Sequence, residues 1–362
     1  MANRAIASRR LLHQRIVGAK EKKPEDVIRH LGALQAQDYG QAIWGIGLRT
    51  EGGTAADVER AIEEQRIVLT WAMRGTLHAV PAADVKWMLK LLAPRVLAQD
   101  KRRLEQLEIA PEHIAQCEAL MRDALQGGRR ISRPTLMQMM EEAGIGTRHQ
   151  RGYHLLWHLA QLGLICLGPL EGKQQTFVLL DEWVREENRL SLDEALGELA
   201  KRYFTSHGPA TVHDFAWWSG LKVSEARQGV EAAQRALDSV TIDGDVYWLG
   251  ADGPGEIEEQ VHISLLPGFD EYLLGYKDRG AVLAAEHAPL LVPGGNGVFA
   301  PMLVIDGQIA GIWKRTMKKN GVDISVHPFA ALGDRRERVV EEVRRYGEWL
   351  GLPISRLDFQ EE

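Results

Sequence analysis

Twice along this chain a helix, a turn, a second helix and a two-stranded hairpin follow one another, and that order leaves few folds open. In RRISRPTLMQMMEEAGIG, Ser132 reads as an N-cap with Pro134 in the first turn, Leu136, Met139 and Met140 form an apolar stripe, and Gly144 is the stop. A second helix, RHQRGYHLLWHLAQLG, comes next, and then two strands, LICLGPLEG and QQTFVLLDEW, around a bend. The order returns in HGPATVHDFAWWSGL, with Val212, Phe215 and Ala216 on one face and Gly220 at the turn. KVSEARQGVEAAQRAL is its second helix, and SVTIDGDVYWLG is a hairpin turning at Asp243–Gly244. Both copies have the order of a winged helix-turn-helix.

A looser third copy opens the chain, with helices expected at 3–16 and 24–36, another in TAADVERAIEEQ, and a wing in which VLTWAM and TLHAV flank Arg74–Gly75. Beyond Gly255 the period shifts to strands. Asp306–Gly307 and Asn320–Gly321 each divide apolar or alternating runs, which reads as a three-stranded meander. With VHISLLPGFDEYLL this meander is expected to close into a small barrel, capped by the amphipathic helix GDRRERVVEEVRRYGEWLG. The expected fold is therefore α+β and mainly α: three tandem winged helix-turn-helix units followed by a small antiparallel β-barrel. Their bounds are 1–110 (wing at 68–80), 111–185, 186–255 and, for the barrel with its C-terminal helix, 256–362.

At 362 residues the chain exceeds a single ordinary core. Its net charge of −6 gives no whole-protein attraction to nucleic acid or anionic lipid, so such binding must come from local patches. Cys117 and Cys166 are the only cysteines and lie far apart, which argues against a disulfide scaffold or a zinc site. The Arg-rich start MANRAIASRRLLHQRIVGAKEKK lacks the apolar core of a secretory signal and reads as a first helix rather than a transit peptide. No stretch approaches the ~18 apolar residues of a membrane span. These features predict a cytoplasmic protein, associated with the nucleoid if it binds DNA.

The common catalytic patterns are missing. There is no phosphate-cradling GxxxxGK[ST], no dinucleotide fingerprint, no GxSxG and no HExxH. His154 and His158 are four apart on a helix, but no third ligand accompanies them, so neither a metal nor another cofactor is expected. Nucleic acid fits better. Arg148, Arg151, His154 and His158 would share one face of their helix, with Leu155, Leu159 and Leu162 toward the core. That pattern suits a recognition helix and equally a solvated face. Lys314, Arg315, Lys318 and Lys319 surround a hairpin, as DNA contacts or as a charged edge that discourages aggregation. Arg74 stands at a hairpin tip with His78 on the next strand, where phosphate or a minor groove is in reach, although an ordinary turn has the same look. Lys277 and Arg279 complete the candidate DNA contacts. Of ten tryptophans most fall at helical spacing and read as core, whereas Trp44 and Trp71 are placed either to pack or to stack on an unpaired base.

One motif remains. In HLGALQAQDY two glutamines, Gln35 and Gln37, flank a single alanine where an apolar run gives out. With LGALQAQDYGQAIWGIGLR, the strings TWAMRGTLHAVPAAD, LLPGFDEYLLGYKDR and NGVFAPMLVIDGQIAGIWKR make the chain resemble the AlkZ-like DNA glycosylases over residues 4–350. The resemblance implies three winged-helix units and a C-terminal β-barrel, C-shaped around a DNA cleft. It also implies that a Gln–apolar–Gln or Gln–apolar–Asp triplet carries catalysis, here Gln35–Ala36–Gln37 with Asp38 directly after. The Gln/Gln form resembles enzymes that unhook bulky crosslinks, the Gln/Asp form a broader alkylpurine group.

Amides suffice for that chemistry when the leaving group is already a cation. Alkylation at N7 charges the purine, so the glycosidic bond breaks toward an oxocarbenium-like sugar without protonation of the base. A glutamine carbonyl can accept from the attacking water and turn negative dipole toward the sugar. One such positioned dipole contributes roughly 3 kcal/mol, on the order of a hundredfold in rate. With no lysine near the motif in sequence, cleavage is expected to be monofunctional, on alkylated double-stranded DNA, by a monomer. The rival expectation is a non-enzymatic winged-helix regulator, which leaves the glutamine pair without a role. A third is a structural protein whose winged helices bind other proteins.

Overall fold

The computed structural model describes residues 2–253, 255, 261–293, 295 and 297–360. They fall into two compact units, one made of residues 1–58 with 197–362, the other of residues 59–196. Residues 1–58, the N-terminal helix among them, group with 197–362 rather than with 59–110.

In the 59–196 unit the local signals act as the sequence suggests. Ser132 caps Arg133–Glu142 through the Thr135 N–H, with Leu136 and Met140 buried beneath. The helices Pro111–Leu125, Arg133–Glu142 and Arg151–Gln161 precede the hairpin of Ile165–Glu171 and Gln174–Leu179. The short strand Ile131–Ser132 pairs with Gln174–Leu179. A second hairpin, Ile67–Met73 with Thr76–Pro81, joins the same sheet through Leu69 and Leu167. Its tip residues Arg74 (φ 53°) and Gly75 (φ 72°) take the left-handed conformation that a tight antiparallel turn needs.

The other unit contains the second full repeat. Thr211 and Asp214 form a capping box for Val212–Ser219, Gly220 ends that helix at φ 77°, and Val223–Ala233 follows. Strands Leu237–Ile242 and Asp245–Gly250 pair around Asp243–Gly244, and a single bridge joins Ala210 to Trp248.

The C-terminal meander is present as Met302–Ile305, Gln308–Lys318 and Gly321–Pro328. The expected barrel is not. The five strands form an open sheet in the order Ile354–Phe359, Gly321–Pro328, Gln308–Lys318, Met302–Ile305, Ile263–Leu266, and its first pairing is parallel. A barrel must bring its two edges into register. Here helices lie along the sheet instead: Val339, Val343, Tyr346 and Trp349 of Arg336–Leu350 are buried. On the N-terminal helix Ala2–His13, Ile6, Ala7, Leu11 and Leu12 share a core with Met302, Val304, Ile309, Tyr272 and Val282.

Candidate active site

The segment bearing the glutamines is not a helix end. Helix Pro24–Leu31 stops at Gly32 (φ 82°), whose N–H still reaches the Ile28 carbonyl, and the chain then runs extended through Leu34–Gln35. Leu34 and Ala36 are buried, Gln35 is 9% exposed and Gln37 is exposed. Both residues of the two-residue strand Leu34–Gln35 are buried, and exposure begins at Gln37. Asp38 then caps Tyr39–Gly47 by accepting the Gln41 N–H at 3.0 Å. The carboxylate beside Gln37 in sequence is thus occupied in starting a helix.

Two acids far along the chain hold this segment at both ends. Glu271, 1% exposed, accepts the Gln35 backbone N–H on Oε1 at 3.0 Å and the Trp218 Nε1–H on Oε2 at 2.8 Å. His207 Nε2 lies 3.4 Å from the same Oε2. Asp270 takes Arg49, just past the helix, in a two-pronged ion pair at 2.9 and 2.8 Å. The remaining Arg49 N–H groups go to the Gln14 carbonyl, Gln14 Oε1 and the Gly45 carbonyl, so all five donors are used. A third tie joins Gln41 Oε1 to the Gly268 N–H. Phe269 sits at φ 63°, a conformation that strains a bulky residue and that holds the two acids at this tight turn.

Arg315 approaches the motif as well. From strand Gln308–Lys318 it reaches the Gly40 carbonyl at 3.3 Å and the Tyr346 hydroxyl, with Asp38 Oδ1 3.9 Å away. A Cβ at position 40 would lie 2.3 Å from Arg315 Nη2, so a larger residue there displaces the guanidinium.

The other candidate residues separate into exposed and committed groups. Arg148, Lys277 and Lys314 are exposed. Arg148 lies in the turn before its helix rather than on it. Arg74, at the wing tip, is half-buried. Arg279 is held between the rings of Trp217 and Phe299, with its Nε–H on the Leu273 carbonyl.

The remaining four are buried or engaged by partners within the protein. His78 is wholly buried in the wing, its Nδ1 2.8 Å from the Thr76 carbonyl. Arg151 donates to the carbonyls of Gly146, Leu107 and Glu108. His154 pairs with Asp100 at 2.9 Å. Trp157 of the same helix donates to the Gly75 carbonyl at 2.9 Å, so the expected recognition face is covered from within its own unit. Leu155 and Leu159 are buried as expected, but Leu162, at the C-cap, is exposed. Trp44 is core: its Nε1–H bonds the Leu265 carbonyl, and its ring packs edge-on to Tyr346 and against Trp349. Trp71 is core too.

Among the described residues no cluster of three or more His, Cys, Asp or Glu side chains could hold a metal. Burial pushes Cys117 up to about 12 and leaves it protonated, and Cys166 is shifted up likewise. A cavity of about 980 Å³ in the same unit as the glutamines is lined by Lys20, Trp44, Glu342, Arg345 and Trp349, and by neither glutamine. Burial pulls Lys20 down to about 7, the range in which an amine becomes nucleophilic, but its Nζ donates to the carbonyls of Arg15, Ile16 and Leu48. No helix of the described residues is long and apolar enough to cross a membrane.

Sequence reasoning singled out both glutamines and missed Asp270 and Glu271. The available signal was two adjacent carboxylates inside the apolar run LLPGFDEYLL, because buried acids require partners.

Comparison with known proteins finds one family along most of the chain. The family described as DNA glycosylase AlkZ-like matches residues 28–349. An interstrand DNA cross-link repair glycosylase of Streptomyces sahachiroi is 27% identical over 330 residues, 86% of this chain and 87% of that protein. The solved structure of the Streptomyces sahachiroi DNA glycosylase AlkZ superimposes with a TM-score of 0.81 at 24% identity, covering 99% of each chain.

Proposed function

Because the chain belongs to the AlkZ-like family of DNA glycosylases and is itself such an enzyme, we propose that it hydrolyses the N-glycosidic bond of cationic, N7-alkylated purines in double-stranded DNA, with Gln35 and Gln37 holding the attacking water. The observation that carries this reading is the contrast within the triplet. Gln37 is open to solvent, while the Gln35 backbone is tied to a buried carboxylate. An exposed amide on a fixed backbone can aim a water at C1′ and turn its carbonyl dipole toward the developing sugar cation. No strong base stands in the triplet, and Asp38 is engaged as a helix cap, so only a base that leaves without protonation is within reach.

We read the repeated sets of two helices and a hairpin as winged-helix units, at 1–110, 111–185 and 186–255, ahead of the C-terminal sheet. Exposed Arg148, Lys277 and Lys314 would meet phosphates, and half-buried Arg74 would act from its hairpin tip. The Gln/Gln triplet and the Streptomyces sahachiroi relative, which is named for cross-link repair, support unhooking of interstrand crosslinks as a further activity. A tandem array within one chain needs no second copy, which supports action as a monomer. Family membership removes the case for a non-enzymatic regulator.

The test is single-turnover release of 7-methylguanine from methylated duplex DNA. Gln37→Ala is expected to lose about a hundredfold or more in rate while holding DNA as tightly as the wild type. Unchanged release by both Gln35→Ala and Gln37→Ala would remove the glutamines from the mechanism. Borohydride should trap no protein–DNA adduct, since Arg315 rather than a lysine reaches the residues following the triplet and Lys20 is enclosed by carbonyls. A trapped adduct would overturn the hydrolytic route.

A further inference from the structure

We propose that Glu271 is a positioning residue for base excision, acting through the backbone of the glutamine triplet. The inference rests on the reading of Gln35 and Gln37 above. The contact that carries the inference is made by the Glu271 carboxylate. What it holds is the Gln35 N–H, the peptide group from which the extended segment projects both side chains.

Both oxygens of the carboxylate are engaged by buried donors. Its Oε1 takes Gln35 and its Oε2 takes Trp218, with His207 on the same oxygen. Trp218 and His207 are themselves fixed, fully buried and packed against Tyr203, so the carboxylate cannot swing. Its own backbone carbonyl is tied through the Gln14 amide, which also receives Arg49. The charge of a buried carboxylate requires such donors, and here one of them belongs to the catalytic segment. A neutral amide dipole loses its effect when misaimed, and a displacement of about 1 Å at a reacting group costs on the order of a hundredfold in rate.

Glu271→Gln makes the test specific. The side chain keeps its shape but presents one NH₂, which must face the Gln35 N–H or the Trp218 Nε1–H, donor against donor. Single-turnover release of 7-methylguanine should fall about ten- to a hundredfold, with DNA affinity within about twofold of wild type. Adding Trp218→Phe removes the competing donor, so the amide can turn its oxygen to Gln35. The double variant should therefore regain most of the lost rate, and a double variant as slow as Glu271→Gln would count against the inference. In a Gln35→Ala, Gln37→Ala background the same Glu271→Gln change should alter the residual rate by less than about twofold.

Wild-type excision by Glu271→Gln, or an equal further loss in the glutamine-free background, would overturn the inference. These outcomes are distinct from failure of the glutamine mechanism, which would appear as full activity in the Gln35→Ala, Gln37→Ala protein itself.

Discussion

Asp270→Ala should be among the most damaging single changes near the active site, and its cost can be worked from the contacts. The Arg49–Asp270 pair has 0% side-chain exposure on both partners. All five Arg49 donors are satisfied, two of them by Asp270. Removing the carboxylate leaves a buried guanidinium with no countercharge and two open N–H groups, a loss of about 3–5 kcal/mol. Asp270 also accepts the Tyr272 N–H as the cap of Glu271–Leu274, which adds about 1 kcal/mol. In a unit of roughly 220 residues, a loss of about 4–6 kcal/mol corresponds to a melting temperature lower by roughly 8–24 °C.

Urea and thermal unfolding followed by circular dichroism measure this. The decisive companion is the double variant Arg49→Met, Asp270→Leu, which removes the charge from both sides and fills the space with apolar volume. It should recover at least half of the single-variant loss, because the stranded cation is gone. A cost below about 1 kcal/mol for Asp270→Ala, or a double variant no more stable than the single, would refute the view that an enclosed ion pair anchors this helix.

Three further outcomes follow from the same unit. Burial holds His30 down at about 4, so its neutral ring stabilises the fold fully above the unfolded value near 6.5, and that contribution is lost as pH falls toward 4. The loss amounts to about 3 kcal/mol in all, and His30→Gln should flatten the decline of the urea midpoint between pH 7 and 5. Gly47→Ala would set a Cβ 2.1 Å from Trp349 Nε1, and unfolding should show a cost of about 1–3 kcal/mol that Trp349→Leu partly relieves. Gly40→Ala meets only the flexible end of Arg315, so its effect should be smaller on stability than on excision, as the guanidinium is pushed from beside the triplet.

The features legible in the sequence are those that a few neighbouring residues decide. The Ser132 cap, the Gly144 and Gly220 stops and the Asp243–Gly244 turn are fixed by local backbone preference and appear where expected. Basic side chains at helical spacing are less informative, because spacing says which residues share a face but not what covers it. Arg151 and His154 do share one, and it is filled by the Leu107 and Glu108 carbonyls and by Asp100. The open sheet escaped for a related reason. Ile354–Phe359 joins in parallel across an intervening helix, a pairing that no turn residue announces. Gln35 and Glu271 are 236 positions apart, so nothing local could join them.

Enzymes with a strong general base can draw on proton transfer, whereas a pair of carboxamides has only orientation to offer. The physical demand then moves from the side chains to the backbone that carries them. Here that backbone is held at Gln35 by Glu271 and at Arg49 by Asp270, adjacent acids at a strained turn. Stability and excision should therefore separate by position. Gln37 is exposed, so Gln37→Ala should shift unfolding by less than about 0.5 kcal/mol while excision collapses. Asp270→Ala should lower both together, and the Arg49→Met, Asp270→Leu protein should regain stability without regaining the full rate, because the apolar pair fills the space but no longer fixes the angle of helix Tyr39–Gly47 through directional bonds. If that double variant excised 7-methylguanine at the wild-type rate, close packing alone would be enough to aim the amides, and the ion pair would matter only to folding.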